Sequence, residues 1–336
     1  MQTEKSSLLF ECVLGASLLG LALVHLQLGP SETTPLETLA YLWQDNGSNV
    51  SFAIRELRLP RILCAITVGA SLALSGFLIQ VVTRNPLGDP GLTGVSAGAT
   101  FGVAVIITYA DPAAWLIISA GIAGGGLAAS LTLLLARASG LQHIHLLLAG
   151  LSVAIFFMAA TSMVMVVERA SMQSLYFWMI GGFANKEWVE FNLLWPVALS
   201  GCLASFLMAP ILGLLQLDDA VSTGLGLQSG LWRLTAAAVS VVLAAGSVAV
   251  AGPIGFIGFV APHIVRKCCR SSSGNPVPIG KLLILIALTG GTLTLAADLV
   301  SITLGSFLHA PAGIVVVLVG GACFLALSRD SVRDFS

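Results

Sequence analysis

Only 9% of the 336 residues are Asp, Glu, Lys or Arg, so chemistry in this sequence must come from few side chains. A carboxylate pair inside an apolar run would stand out, because intramembrane charges are costly and usually functional. Glu11 and the adjacent Glu168 and Arg169 fall near the ends of such runs. Asp298 is the best polar candidate, and it is read as an interface carboxylate near the outer end of its run. With His263 it is the residue an intramembrane enzyme would have to use. No ladder of Asp, Glu or His crosses a run, which argues against a proton-driven pump. His143 and His145 are spaced to share a metal but lack a third or fourth ligand nearby, so no metal site is expected. "GNPVPIGKL" (Gly274–Leu282) resembles a phosphate loop with one residue too many between its glycines, and it has Leu282 where Ser or Thr would hold magnesium. "GLGLQSG" (Gly224–Gly230) misses the dinucleotide fingerprint by one spacing. Both read as turns. The six cysteines show no C-x-x-C spacing and no disulfide or zinc framework. The chain reads as a conduit without its own engine.

The elements that must position these residues are set by composition. Hydrophobic residues make up 57% of the chain and mean hydropathy is +0.96. A soluble domain carries about a quarter charged residues, so the fitting solvent is lipid. Net charge is −1, which gives no field to recruit nucleic acid. A helix needs about 20 mostly apolar residues to cross a bilayer. The expected fold is an all-α polytopic membrane protein forming one domain over 1–336, with about ten spans near 8–28, 59–82, 92–110, 113–136, 144–167, 191–213, 233–251, 254–268, 280–301 and 312–328. The first run is too long for a signal-peptide core and is read as a retained helix. The stretch 171–190, with Trp178 and Trp188, reads as an interfacial helix. Gly69…Ala73 and Gly121…Gly125 read as close-packing stripes.

With both termini cytoplasmic, ten of the 15 Lys and Arg fall inside and five outside, in keeping with the positive-inside rule. Three of those five are Arg55, Arg58 and Arg61, clustered where such charge is usually scarce. From the residues alone, interfacial snorkelling is the preferred explanation. A secondary transporter stays open as a reading of the apolar runs, but it needs intramembrane carboxylates or broken-helix ion sites.

Three stretches carry a resemblance. "RLPRILCAITVGASLALSGFLIQVVTRNPLGDPGLTGVSAGA" (Arg58–Ala99) is one and "LDDAVSTGLGL" (Leu217–Leu227) the second. The third is "AGPIGFIGFVAPHIVR" (Ala251–Arg266), followed by "LAADLVS" and "APAGIVVVLVGGACFLAL". In order and spacing they resemble the FecCD-type permeases, the membrane subunits of bacterial ABC importers for iron-siderophores, haem and cobalamin. The resemblance implies a type II ABC importer permease of the inner membrane, not itself an enzyme, that most closely fits ferric siderophore transport by alternating access, with haem or cobalamin as the alternative cargo. It implies three partners: an ABC ATPase dimer that uses ATP and magnesium, a periplasmic substrate-binding protein, and a second permease subunit, identical or related. No cofactor is implied for this chain. Arg58 and Arg61 match the arginines that receive glutamates of the binding protein, and Ser301 departs from an element that commonly carries a third. Leu217, Asp218, Asp219, Leu225 and Gly226, in a cytoplasmic loop over 214–230, match the ATPase-coupling motif, with Asp218 in place of the usual glycine. Asn85 and Leu87 match the cytoplasmic gate, and His143 and Ile144 its second segment.

Overall fold

A helix that is apolar all round is buried on all sides, and Leu59–Thr83 is such a helix: from Leu72 to Val81 every residue is buried. The computed structural model describes residues 2–28, 34–43, 46–110, 113–138, 143–167, 179–217, 219–269, 277–308 and 311–333; at 2–9, 137–138, 143–144, 167, 219–220, 223, 305–308 and 323–333 it describes backbone only. Residues 171–178 of the expected interfacial helix, with Trp178, and the pair Glu168 and Arg169 lie outside the described residues, while 181–187 is not helical and Trp188 opens the next long helix.

Among the described residues the α-helices, apart from the single turn Asn49–Phe52, are α1 (Gln2–Gln27), α2 (Pro35–Trp43), α3 (Leu59–Thr83), α4 (Val95–Tyr109), α5 (Ala114–Ala138), α6 (His143–Val167) and α7 (Trp188–Leu207). They continue with α8 (Ala209–Leu215), α9 (Asp219–Gly224), α10 (Ser229–Ala251), α11 (Ile257–Cys268), α12 (Ile279–Leu308) and α13 (Ala312–Arg333). Seven described segments are long and apolar enough to cross a membrane: Phe10–Gln27, Asn49–Thr83, Ala114–Ala136, His145–Val166, Trp188–Leu207, Ser229–Ala251 and Ile279–Leu304. Val95–Tyr109 and Ala312–Ala322 are shorter apolar helices. Length and composition alone therefore support seven spans, against the expected ten or so. The outward faces of α5, α6 and α7 carry exposed Leu134, Ile155, Phe156, Met163, Leu203 and Leu207. So large an apolar surface is a liability in water and ordinary in lipid.

Lipid supplies no hydrophobic drive between helices, so small residues let backbones approach and gain packing instead. A Cβ on Gly69 would overlap the Gly290 carbonyl of α12, and one on Gly76 the Gly258 backbone of α11. The Gly69…Ala73 stripe faces Gly290, while Gly121 and Gly125 face Ala249 and Ala245 of α10. Both stripes are helix seams. Ser75 and Ser240 add a buried hydrogen bond between α3 and α10.

The run expected as a helix over 254–268 divides. After α10 the backbone leaves helical geometry at Gly252 (φ 73°), and α11 starts at Ile257 behind Phe256 in a left-handed conformation (φ 67°). Gly258, near the start of α11, packs on Gly76, well past the midpoint of α3. Non-helical backbone at that depth is tolerated because protein surrounds it: Ile254 is buried, and the Gly258 carbonyl accepts from Gln80 Nε2 at 3.2 Å.

Candidate functional site

The expected site residues fall at the two ends of the bundle. At the first end a six-residue π-helical turn, Ala53–Arg58, leads into α3 and carries Arg55 and Arg58. Arg58 Nη1 donates to the Leu26 carbonyl at 2.5 Å, satisfying one of the acceptors that the end of α1 leaves open. Arg61 makes a bidentate pair with Asp298: Nε to Oδ2 at 2.8 Å and Nη2 to Oδ1 at 2.7 Å. His25 Nε2 meets the same Oδ2 at 2.8 Å. Asp298 is 0% exposed and the Arg61 side chain 22%. The reading of Asp298 as an interface carboxylate is thereby corrected. It is an interior acceptor that joins α1, α3 and α12. Both guanidinium groups expected to await a partner already hold intramolecular acceptors, although each keeps further donors.

His25 was not singled out by the sequence. Its partner lies 273 residues away, a separation no local pattern encodes. At the opposite end Glu11 pairs with Lys281 at 2.5 Å. Glu11 and His25 are fourteen residues apart in α1, Lys281 and Asp298 seventeen apart in α12. At 1.5 Å rise per residue these are spans of about 21 and 26 Å, so two polar contacts fasten α1 alongside α12 in parallel.

At that opposite end α3 stops on Arg84, whose φ of 48° is left-handed. The Arg84 N–H donates to Val81 O and the Asn85 N–H to Gln80 O at 3.2 Å, a Schellman-type ending. Asn85 Oδ1 then accepts the Leu87 N–H at 2.9 Å, which folds the next turn. Leu87 is 48% exposed. With Asp89, Leu92, Gly255, Phe256 and Phe259 it lines a recess of about 320 Å³. Asp89 Oδ1 accepts the Gly91 N–H at 2.8 Å, and its carboxylate also takes the N–H of Phe259 in the first turn of α11. Burial pushes the Asp89 carboxyl up to about 6, with those two N–H groups pulling the other way. Gln80 Nε2 donates to Gly88 O at 3.2 Å, while Arg266 of α11 donates to Gln80 Oε1. The turn that holds Asn85 and Leu87 is thus fastened to α11 from both of its sides. His143 and Ile144 open α6 as backbone, and their side chains lie outside the described residues.

The loop expected over 214–230 contains the short helix α9 and ends on Leu225 and Gly226, the latter at φ 80°. Leu227 N donates to Ser222 O at 3.1 Å, closing the helix over the left-handed glycine. Leu217, Val221 and Leu225 are exposed by 42%, 51% and 64%. Val221 lies within α9, while Leu217 precedes that helix and Leu225 follows it. Val221 was missed in the sequence, where its place between Leu217 and Leu225 was the available signal. Asp218 lies outside the described residues, and Asp219 is described as backbone only. Arg84 Nη2 donates to the Leu217 carbonyl, so the Asn85–Leu87 turn and this loop meet. Among the described residues no three His, Cys, Asp or Glu side chains are placed to share a metal ion.

Comparison with known proteins follows the same outline. The sequence model of the FecCD transport family matches residues 17–330. The Fe(3+)-citrate import system permease protein YfmD of Bacillus subtilis (strain 168) is 33% identical over 309 residues, covering 91% of this chain and 90% of its own. The Fe(3+) dicitrate transport system permease protein FecC of Escherichia coli (strain K12) is 34% identical over 282 residues, 82% of each chain. A solved structure assigned to the metal-chelate ABC transporters, in an inward-facing conformation, superposes with a TM-score of 0.81 at 27% identity, covering 97% of this chain and 99% of its own. A profile matched over nearly the whole length, on an all-helical bundle, leaves one assignment: the chain belongs to the FecCD transport family and is a membrane-embedded permease subunit of an ABC importer, with no catalytic centre of its own.

Proposed function

We propose that this chain carries a ferric chelate, a ferric citrate or siderophore complex, inward across the bacterial inner membrane, by alternating access with a second copy or a related subunit. Relatives named for Fe(3+)-citrate and for ferric enterobactin support that cargo class. Both termini lie in the cytoplasm in this reading, supported by the excess of Lys and Arg at that side. The end with Arg58 and Arg61 then faces the periplasm and receives a substrate-binding protein. Donors left over on both guanidinium groups would pair with carboxylates of that protein. The gate comprises Asn85 and Leu87, with His143 and Ile144 as its second segment.

The observation that carries the proposal is the exposure of Leu217, Val221 and Leu225 together on one loop between two helices. Lipid does not cover an inter-helix loop, and water disfavours three exposed aliphatic side chains within nine residues. A groove on a partner covers them well, in the manner of a helix laid in an apolar cleft. We assign that partner as the ATPase dimer, which binds and hydrolyses magnesium-ATP and delivers its closure through Leu217, Asp218, Asp219, Leu225 and Gly226 as a rigid-body movement.

The test is co-purification. Val221→Asp with Leu225→Asp should reduce ATPase subunits recovered with the permease at least tenfold, while the protein still inserts and still binds the binding protein. Full recovery of the ATPase by that double variant would remove the assignment of this loop.

A further inference from the structure

Arg84 occupies a position where arginine is a poor choice for local structure. It ends α3 at φ 48° and ψ 31°, the left-handed conformation that glycine adopts freely and that side chains with a Cβ adopt under strain. Helices that stop this way usually place glycine or asparagine there. Strain of this kind is a pointer to function when the residue does something glycine does not. Here the guanidinium reaches the Leu217 carbonyl, the last described residue before α9. The residue that follows Arg84 in sequence is Asn85, which builds the turn presenting Leu87. Across that turn Asp89 accepts the Phe259 N–H, and Arg266 donates to Gln80 Oε1, so the far side of the loop is anchored on α11. A displacement of the Leu217 region is therefore passed to the Leu87 turn through Arg84 rather than lost in an independent loop.

We propose that Arg84 is the positioning residue that transmits movement of the ATPase-facing loop to the cytoplasmic gate. The proposal rests on the coupling and gate assignments given above, and its test keeps the two apart. The full transporter, with its ATPase, is placed in nanodiscs. Leu87→Cys is modified with a membrane-impermeant maleimide, and the parent protein supplies the background from native cysteines. With Arg84 present, ATP should change the modification rate at least fivefold. With Arg84→Gly, ATP hydrolysis should continue within twofold of the parent, but the ATP-dependent change should fall below 1.5-fold. Arg84→Lys, which can still donate to the carbonyl, should retain at least half of the response.

Melting temperature separates transmission from a merely structural role. Arg84→Gly removes the strained Cβ and should melt no lower than the parent, whereas Arg84→Ala keeps the strain, loses the reach and should melt lower. An undiminished ATP response in Arg84→Gly would overturn the proposal, and so would loss of the response together with a lowered melting temperature in that variant. Absence of any ATP response in Leu87→Cys with Arg84 intact would instead remove Leu87 from the gate, taking this proposal with it, while ATPase co-purification would still report on the loop.

Discussion

Asp298→Ala is expected to cost about 3–5 kcal/mol of stability, because it strands a cation that the interior holds only in company. Asp298 accepts both donors of Arg61 and the Nε2 of His25, and it is wholly buried. Without it, the Arg61 guanidinium loses its bidentate carboxylate, and α1 loses the His25 contact to α12 at this end. Asp298→Asn should fall between, since the amide still accepts at one oxygen but neutralises nothing. His25→Leu should cost less than either, because Arg61 keeps its bidentate partner. Thermal unfolding of the purified protein in detergent gives the ranking. A loss below about 1 kcal/mol for Asp298→Ala would show that water or lipid headgroups already solvate this site. The same network governs how docking is probed. Arg61→Glu would set two carboxylates face to face inside the protein, so any loss of binding would be confounded by misfolding. Arg58→Glu gives up one bond to the end of α1 and is the cleaner probe of the proposed docking face.

The second large effect is steric. Gly76→Val is expected to abolish transport, with uptake down at least tenfold, and to destabilise by about 1–3 kcal/mol or more. The first added carbon would overlap the Gly258 carbonyl oxygen, its carbon and its Cα, all backbone atoms, so no rotamer change relieves it. Moving α11 away would break the Gln80 bond to Gly258 and the Asp89 bond to Phe259, which hold the Asn85–Leu87 turn proposed as the gate. Gly126→Val is the control: nothing lies within 4 Å of a Cβ there, and it should transport normally. Uptake by Gly76→Val equal to that control would mean that α11 is free to shift without consequence.

Much of this was legible in the sequence because lipid imposes simple demands. Long apolar runs, few charges and glycine stripes predict helices and seams, and the Gly69 and Gly121 stripes pack as their spacing requires. Short-range turn chemistry was equally readable: Gly226 sits at positive φ, as its place after a short helix suggests. What sequence reasoning lacked was pairing across long separations. His25 with Asp298, Arg84 with Leu217 and Asp89 with Phe259 each join segments whose proximity is decided by packing. The start of α11 was also misjudged. Hydropathy counts Ile254 and Phe256 as part of a span, although Gly252, Pro253 and the left-handed Phe256 keep that stretch extended. The lesson for the arginine cluster is similar. Spacing exposes its family match, but only coordinates reveal that Arg58 and Arg61 also serve the interior.

The most direct measurement is ⁵⁵Fe-citrate uptake into proteoliposomes that contain this permease, its ATPase and its binding protein, with ionophores collapsing every ion gradient. Uptake should require ATP inside the ATPase-bearing compartment and should vanish when the permease is reconstituted alone. Accumulation by the lone permease, driven by a proton or sodium gradient, would contradict the account.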